Sequence, residues 1–567
     1  MTPLSNKLSN VPLLLTSFSA SATTGGAIYA FGIYGDAIKQ NLALSQMQLD
    51  MISAAMFIAG IFSWMPGILV DRYGTRFALL LGGTGGAFFS LLYWGICRRL
   101  ISIETQHAVW VLSCNGVAIA LSCALIVGSM FKITVVCSGP GTRGTAVGIA
   151  KGFVGLGSGI YAGLFQALRA SQESALDFLP VTAACFLLCV VLPAAVLLPW
   201  NIESRNLRHD ITPLHFRLMY ASLLTISVVL VSGAVIELLK PEADISLPLT
   251  VDQQQGTRDF PRALLILFIW WGPMLTTLVL PRKEPAINSW NERDMESNKE
   301  IIVTALDSPP STFSKNSVDE RTPLKRTSPP HNPKRLYMTQ STRSHDIVSD
   351  LALVEMLKTP SAWLMLWTTA ILVGSGTTLT NNMGEMVEAL GFREVTVAST
   401  LVLFSVSQAL ARVVTGIFSE MTLPKRQAWG GLPRTAYLGV ASFIALVSHI
   451  VLALSTTELT FVVGCVISGV AFGMAWPLMV LIVSDVFGAK HHGANYMFFD
   501  GGTKALGTIF LSDFLAGSVY EAHISDEDDF SCFGAACFQE THYVVAALAL
   551  TCMAASLLLM HTSRHAY

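Results

Sequence analysis

Charged residues are scarce in this 567-residue chain. Asp, Glu, Lys and Arg make up 13% of it, whereas 52% of the residues are hydrophobic. The formal net charge is only −2, so the composition does not indicate a nucleic-acid partner. If this chain adopted a water-soluble fold, it would have too few charged residues to cover its apolar residues at the surface. The composition therefore predicts a protein whose main partner is the lipid bilayer.

Catalytic and cofactor-binding motifs are missing as well. The sequence has no Walker-type phosphate loop, no catalytic-triad motif, no HExxH and no CxxC pair. It also shows no His, Cys or carboxylate cluster of the kind that binds transition metals. We therefore expect no enzyme activity, no cofactor and no metal site.

Most of the ten cysteines lie in apolar stretches, where free Cys behaves as a small hydrophobe. Cys532 and Cys537 differ because they lie five positions apart in a polar loop. We place that loop on the non-cytosolic side, where disulfides persist, so this pair is the disulfide candidate.

Fourteen apolar stretches are long enough to cross a bilayer, whose core of about 30 Å requires about 20 residues of helix. They lie near 12–34, 47–70, 77–97, 107–130, 144–168, 178–200, 217–239, 263–281, 361–382, 396–418, 435–455, 461–484, 493–519 and 541–561. The prediction is an all-α, polytopic membrane protein with about 14 transmembrane helices.

The sequence repeats its special positions at an offset of 349 residues. Seven of the 23 glycines among the first 200 residues fall on glycine at this offset, including Gly67 on Gly416 and Gly144 on Gly493. The offset maps the first six predicted spans onto the last six. Two parallel six-helix repeats in a hydrophobic chain are typical of secondary transporters, whose two bundles rock around a site at their interface.

This repeat divides the chain into four parts. Residues 1–200 and 359–567 are the two six-helix bundles, and residues 201–281 hold two inserted helices, an even number that lets both bundles enter the membrane from the same side. Residues 282–358 are rich in Ser, Pro, Thr and Asn and predict a disordered cytosolic linker.

Lys and Arg are concentrated in alternate loops, which predicts that both termini are cytosolic. These loops carry Lys7, Arg72, Arg76, Lys132, Arg143, Arg205, Arg208, Arg217, Lys425, Arg426, Arg434, Lys490 and Arg564. The host membrane is either vacuolar or another endomembrane, or the plasma membrane.

The segment Gly67–Arg76 closes the second span on the predicted cytosolic side. Its Asp71 lies at a helix C-terminus, where the helix dipole disfavours a negative charge, so we expect the N-terminus of another helix to stabilise it. The repeat points to the helix near Gly493 for Asp71 and to the helix near Gly144 for Glu420. These contacts would latch a gate whose predicted residues are Gly67, Asp71, Arg72, Arg76, Gly416 and Glu420. A plain topogenic turn is the alternative.

Lys151 lies roughly 12 Å along its helix from Arg143, at a depth where an ionisable group faces a cavity or a partner. Asp500 occupies the equivalent position of the second repeat with the opposite charge. We expect the two to face each other across a central cavity. Two alternatives are that Asp500 pairs with Lys504, one turn further along its own helix, and that these charges form a purely structural ion network.

Three more polar residues lie at membrane depth and join Lys151, Asp500 and Lys504 in the predicted cavity set: Asn381, Asn382 and Arg412. Each would line the cavity or satisfy backbone groups at a helix break. His449 and Trp476 are interpreted as packing residues.

Several segments resemble the nodulin-like family of the major facilitator superfamily, and Gly67–Arg76 resembles the superfamily's signature between helices two and three. The other matching segments are Arg143–Leu156, Ala30–Tyr34, Gly374–Gly376, Asn381–Gly384, Trp476–Leu478 and Cys532–Phe538. The resemblance implies a eukaryotic transporter of the major facilitator fold, related to plant nodulin-like and fungal monocarboxylate-transporter-like proteins. Lys151 matches the family pattern, whereas Asp500 and Lys504 lie where small uncharged residues are expected in the plant relatives.

The expected function is secondary active transport of a small polar or anionic solute by alternating access, coupled to protons. A monocarboxylate or amino-acid-like anion is the leading substrate class, and the expected assembly is a monomer. One alternative is a metal-ion transporter of the same fold. Another is a non-transporting sensor that signals through residues 282–358.

Overall fold

The computed structural model describes residues 8–280 and 350–567, apart from 30, 45, 102, 104, 140, 169–174, 201–206, 209, 240–259, 394, 425–430 and 525–531. Nearly all of its regular structure is helical. The strands β1 (Leu8–Ser9) and β2 (Leu207–Arg208) form a two-residue parallel pair. Of the predicted linker 282–358, residues 282–349 lie outside the described residues.

The described part of the first repeat contains nine helices. They are α1 (Val11–Tyr29), α2 (Phe31–Leu42), α3 (Gln46–Ile58), α4 (Trp64–Tyr73), α5 (Thr75–Cys97), α6 (Thr105–Cys137), α7 (Arg143–Leu168), α8 (Phe178–Phe186) and α9 (Leu192–Leu197). Two pairs of them, α3 with α4 and α8 with α9, form interrupted spans. A 3-10 turn, Ala59–Phe62, joins α3 to α4 with a bend of 50°. A π-helical segment, Leu187–Val191, joins α8 to α9.

The inserted pair consists of α10 (Pro213–Leu239) and α11 (Phe260–Val279), and α12 (Leu353–Met356) precedes the second repeat. That repeat contains α13 (Pro360–Asn381), α14 (Met383–Ala389), α15 (Val395–Met421), α16 (Arg434–Ala453), α17 (Glu458–Phe487), α18 (His492–Gly507), α19 (Gly517–Ala522) and α20 (Ala536–Thr562). A π-helical segment, Thr508–Ala516, joins α18 to α19.

The all-α, multi-pass architecture predicted from the sequence is confirmed, but the count of 14 is not. Within the described residues, nine helices are long and apolar enough to cross a membrane, or ten if the bent α3–α4 pair is one span. The helices α1, α7, α11 and α18 do not pass this test over their described residues. α18 has only 16 residues, and the apolar stretch of α11, Ala263–Val279, is also too short. α1 and α7 are rich in Gly, Ser and Thr, and α7 carries Lys151. Helices that face the protein interior need less hydrophobicity than helices that face lipid.

The two repeats meet along two helix crossings, α4 with α18 and α7 with α15. Glycines allow the close approach: a Cβ placed on Gly144 would overlap the carbonyl oxygen of Gly416, and one on Gly493 would lie 2.8 Å from the carbonyl oxygen of Gly67. No other residue type fits such a backbone-to-backbone contact. Three of the glycine pairs that repeat at the 349 offset, Gly67/Gly416, Gly144/Gly493 and Gly152/Gly501, therefore lie at the contact between the repeats.

Candidate functional site

Asp71, in the last turn of α4, accepts hydrogen bonds from the first turn of α18. The backbone N–H groups of Gly493 and Ala494 lie 3.1 Å and 2.8 Å from its two carboxylate oxygens. These amides have no partner inside their own helix and lie at the positive end of its dipole. Lys132 of α6 adds a largely buried ion pair at 2.7 Å. We call the end of the bundle that carries Asp71 and Glu420 the latch end.

Glu420 makes the equivalent contact at the other crossing. Its carboxylate accepts a hydrogen bond of 2.9 Å from the backbone N–H of Gly144, in the first turn of α7, and pairs with the buried guanidinium of Arg434. Arg434 also pairs with Asp485 of α17, which lies 3.8 Å from Arg143 of the first repeat. Charged side chains therefore make contacts between the repeats at three places of the latch end: at Asp71, at Glu420 and between Arg143 and Asp485.

Two residues of the predicted gate set lie elsewhere. Arg72 is exposed and its guanidinium lies over the ring of Tyr73. Arg76 donates a hydrogen bond of 2.8 Å to the carbonyl oxygen of Ala195 and lies 4.4 Å from the ring centroid of Trp200. These described contacts lie inside the first repeat, because successive residues of a helix point about 100° apart and only one of Asp71 and Arg72 can face α18.

Lys151 of α7 and Asp500 of α18 form a buried ion pair between the repeats. The Lys151 Nζ lies 3.1 Å from Asp500 Oδ1, and the two residues are 2% and 3% exposed. Lys504, one turn further along α18, lies 2.9 Å from Asp500 Oδ2. The Tyr496 hydroxyl donates to Asp500 and accepts a hydrogen bond from Lys151. One carboxylate thus holds two ammonium groups from different repeats.

Aromatic rings surround the Lys151 ammonium group. Its Nζ lies 4.4 Å from the ring centroid of Phe131, 4.7 Å from that of Trp476 and 5.1 Å from that of Tyr496. Lys504 lies 4.9 Å from the same Trp476 ring. Ring faces at these distances attract cations and shield them from lipid. The packing role assigned to Trp476 from the sequence therefore omitted its contact with both lysines.

Arg412 connects α15 to this cluster. Its guanidinium donates a hydrogen bond of 2.9 Å to the carbonyl oxygen of Lys151 and another to the side chain of Gln408. The ring centroid of Trp476 lies 5.7 Å away. Among the described residues of this cluster, three basic side chains, Lys151, Lys504 and Arg412, lie around one carboxylate, that of Asp500. An excess of basic groups of this kind produces a positive local potential.

A cavity of about 320 Å³ lies between the repeats next to Arg412. Its wall consists of Gly155, Ser158 and Gly159 of α7, Leu230 of α10, Thr377 and Thr380 of α13, Leu401, Val402, Phe404, Ser405, Gln408 and Arg412 of α15, and Phe472 of α17. Ser158 follows Lys151 by seven residues, so this part of the wall lies roughly 10 Å further from the latch end than the ion pair.

A second cavity, of about 20 Å³, adjoins the ion pair itself. It touches Lys151, Asp500, Lys504 and Arg412, and Arg412 also lines the larger cavity. A volume of this size holds about one water molecule. Arg412 therefore separates a solute-sized space from a polar space beside the buried carboxylate.

Asn381 and Asn382 lie at the end of α13 and are not among the residues that line these two cavities. The Asn381 amide donates to the Ser512 hydroxyl at 3.1 Å, and the Asn382 amide donates to the Thr378 carbonyl oxygen at 2.9 Å. Ser512 belongs to the π-helical segment that follows α18. Of the two roles considered for these residues, their contacts match the one at a helix break.

Cys532 and Cys537 form a disulfide at the start of α20, at the end of the bundle opposite to the latch end. In the part of the chain that the structure describes, no three His, Cys, Asp or Glu side chains lie close enough together to hold a metal ion.

From the sequence, Lys132 and Arg434 are predicted only to contribute to the loop charges that set the orientation of the chain in the membrane. The 349 offset pairs them with Leu481 and Gly85, so the repeat carries no signal for either ion pair. The contact of Tyr496 with Asp500 is predictable from the sequence, because Tyr496 lies four residues before Asp500 and residues at this spacing share one face of a helix.

The chain resembles nodulin-like proteins in sequence and major facilitator transporters in fold. Residues 13–247 match the family model described as Nodulin-like. The protein NUCLEAR FUSION DEFECTIVE 4 of Arabidopsis thaliana is 22% identical over 575 residues, covering 98% of this chain and 89% of that protein. The predicted resemblance to the nodulin-like family is confirmed.

Two solved structures of major facilitator transporters share the fold. The proton:xylose symporter XylE is 9% identical with a TM-score of 0.56, covering 98% of this chain and 95% of XylE. FucP in its outward conformation is 12% identical with a TM-score of 0.50, covering 97% of this chain and 98% of FucP. The expected major facilitator fold is confirmed.

Proposed function

We propose that this chain, a multi-pass membrane protein of the major facilitator fold that resembles the nodulin-like family, is a secondary transporter of a small polar or anionic solute. The observation that supports this most is the arrangement around Arg412. A cavity of about 320 Å³ lies between the repeats on one side of it, and the latch end is closed on the other. A central space that is closed at one end is what alternating access requires.

Opening the latch end would break the contacts of both Asp71 and Glu420. Each carboxylate binds the first turn of a helix in the other repeat, so neither contact survives when α4 leaves α18 and α7 leaves α15. Because the two carboxylates also hold Lys132 and Arg434, each stays paired when the helix amides move away. The latch can therefore open without leaving a buried charge unpaired, which costs about 3–5 kcal/mol.

The charge of the cluster favours an anionic solute, and the cavity volume sets its size. Small-molecule pockets range from about 300 to 1,000 Å³, so the cavity suits a solute near the lower limit. An anion would bind where Arg412 and Lys504 supply positive charge. A monocarboxylate or an amino-acid-like anion meets both conditions.

Proton coupling follows from competition for the same cations. Asp500 is held by Lys151 and Lys504, and Lys504 lines only the small cavity beside Arg412. A solute carboxylate that extends past Arg412 into this small cavity would take Lys504 as its counter-ion. Asp500 would then have one cation fewer and take up a proton in exchange. Solute and proton would move together, and after release the Asp500–Lys504 contact would form again.

We further propose that the latch end faces the cytosol and that both termini lie there. The distribution of Lys and Arg supports this orientation, and so does the disulfide at the opposite end, where the compartment is oxidising. In this orientation, the described conformation is closed on the cytosolic side and open toward the opposite side of the membrane. We propose a vacuolar or other endomembrane, or the plasma membrane, as its location, and a monomer that uses no cofactor and catalyses no reaction.

Uptake into proteoliposomes tests the proposed function. The purified full chain is reconstituted and offered a panel of radiolabelled monocarboxylates, amino acids, sugars and metal ions, with and without an inward proton gradient. We expect saturable uptake of a carboxylate that the gradient accelerates. Lys358→Ala, which changes an exposed lysine, is the matched control. Uptake of no member of the panel, or uptake of metal ions alone, would contradict the proposal.

A further inference from the structure

The inserted helix α10 lies on the seam between the two repeats. It packs against both α7 and α15, the helices that form one of the two crossings. Gly152 and Gly159 of α7 leave room for it: a Cβ placed on Gly152 would lie 3.4 Å from Leu223, and one on Gly159 would lie 2.9 Å from Leu230. The glycines and the leucines are both seven residues apart, about two helical turns, so α10 follows the surface of α7.

The end of α10 is fixed to the second repeat. Arg393, between α14 and α15, donates a hydrogen bond of 3.0 Å to the carbonyl oxygen of Leu238 and forms an ion pair of 2.9 Å with Glu458 of α17. The Ser222 hydroxyl donates to the carbonyl oxygen of Ile269, which holds α10 to α11. We therefore expect α10 to move together with the second repeat and to line the cavity from that side.

Leu230 is the residue through which α10 reaches the central cavity. It lines the cavity together with Leu401 and Phe404 of α15, and we call these three residues the apolar collar. The side chain of Leu230 meets Gly159, whereas the Arg412 guanidinium meets Gly155, where a Cβ would lie 3.0 Å from its Nη1. Gly159 follows Gly155 by four residues, so the collar lies roughly 6 Å further from the latch end than the guanidinium.

Charge therefore changes along the depth of the cavity. The deep end presents the Arg412 guanidinium and the Gln408 amide, whereas the rest of the wall is uncharged, with the leucine and phenylalanine side chains of the collar beside the hydroxyls of Ser158, Thr377, Thr380 and Ser405. A fully polar solute would leave the collar in contact with water or with unmatched polar groups. A solute with its charge at one end and an apolar group about one helical turn away would match both parts.

We infer that Leu230 is a specificity-determining residue and that the site takes an organic anion whose apolar group contacts the collar. The inference rests on the proposed transport function and names the substrate class within it. The carboxylate binds at Arg412, and the apolar group lies against Leu230, Leu401 and Phe404. The inserted helices, which the first and second repeats do not need for alternating access, thus supply part of the solute site.

Transport of 2-oxo acids of increasing chain length tests this inference. Pyruvate, 2-oxobutanoate and 2-oxohexanoate share one charged end. Because the 2-oxo group makes them stronger acids than simple carboxylic acids, they stay ionised near neutral pH and cross bare lipid slowly. Reconstituted full chain should favour 2-oxohexanoate over pyruvate in kcat/KM by about tenfold or more, since a methylene in an apolar pocket discriminates by at least about tenfold. Leu230→Ala should lower this ratio at least threefold, and Leu230→Phe should exclude 2-oxohexanoate while pyruvate transport continues.

Val228→Ala is the matched control, because Val228 lies on the same helix but is 65% exposed on the face away from the cavity. It should leave the ratio unchanged. A merely structural role of Leu230 would lower transport of all three acids together without changing their ratio, and that result would overturn the inference. Failure of wild-type protein to transport any of the acids would overturn the proposed anion transport as well, so the two failures are distinguishable.

Discussion

Lys151 and Asp500, whose side chains lie 3.1 Å apart, occupy equivalent positions of the two repeats, 349 residues apart. Parallel repeats of a transporter are related by a pseudo-twofold axis along the membrane normal. Two equivalent residues can touch only where that axis passes between them. The ion pair therefore marks the centre of the interface, the place where a rocking motion of the repeats changes the surroundings of both charges.

The latch predicts a specific response of two backbone amides. Asp71→Asn removes the charge that holds the N–H groups of Gly493 and Ala494. We expect hydrogen exchange in the first turn of α18 to become at least tenfold faster, which corresponds to about 1.4 kcal/mol less protection. Peptide-resolved exchange with mass spectrometry measures this, with Lys358→Ala as the control. Unchanged exchange in that turn would remove Asp71 from the latch.

The close approach of α7 and α15 predicts that the latch end tolerates no added methyl group. In Gly144→Ala the new Cβ would overlap the carbonyl oxygen of Gly416. Overpacking of this kind costs about 1–3 kcal/mol and should favour the form with an open latch end. Gly439→Ala is the matched control, because its Cβ would meet Ser556 at an ordinary 3.6 Å. Exchange at α7 and α18 should rise in the first variant only; equal exchange in both would contradict the prediction.

The central ion pair predicts a strong energetic coupling. Lys151→Met and Asp500→Asn each leave a buried partner, so each should destabilise the protein by about 3–5 kcal/mol. The double variant should be more stable than the sum of the single losses by about 1–3 kcal/mol. Unfolding in detergent micelles measures the cycle.

The ion pair Arg98–Asp177 gives the control cycle. Its side chains are 36% and 33% exposed, and exposed pairs couple by less than about 1 kcal/mol. If the Lys151–Asp500 cycle shows no more coupling than this surface pair, the two central charges are independent and the assigned competition for Asp500 is wrong.

The disulfide predicts the orientation of the protein in a membrane. If the latch end is cytosolic, Cys532 and Cys537 face the opposite compartment. After mild reduction of sealed vesicles with the cytosolic face outward, a membrane-impermeant maleimide should label these cysteines only once the vesicles are opened. Labelling of intact vesicles would place the latch end on the other side.

The repeat explains which parts of the site could be predicted from the sequence. A constant offset converts a position in one repeat into a position across the interface, and it placed Lys151 opposite Asp500 and Asp71 near the helix of Gly493. The structure brings these residues into contact. Charges without an equivalent, such as Lys132 and Arg434, carry no such signal.

The remaining differences have local causes. The side of a helix on which an aromatic ring lies depends on tertiary packing, so the contact of Trp476 with two lysines could not be read from its sequence neighbours. The amides of Asn381 and Asn382 also donate to the hydroxyl of Ser512, which belongs to a π-helical segment, and the sequence contains no signal for the extra residue per turn of that segment. The count of fourteen spans stays a prediction, because interior helices such as α7 are built from small and polar residues and do not pass a test of length and hydropathy.

The most direct test of the account is proton-driven uptake by Asp500→Asn in proteoliposomes. An inward proton gradient should accelerate carboxylate uptake by wild-type protein at least several-fold. The variant should keep solute exchange between the two sides at equal pH, which shows that it folds and binds, and it should lose the acceleration. Acceleration of the variant equal to that of wild type would contradict the central claim that Asp500 couples the proton to the solute.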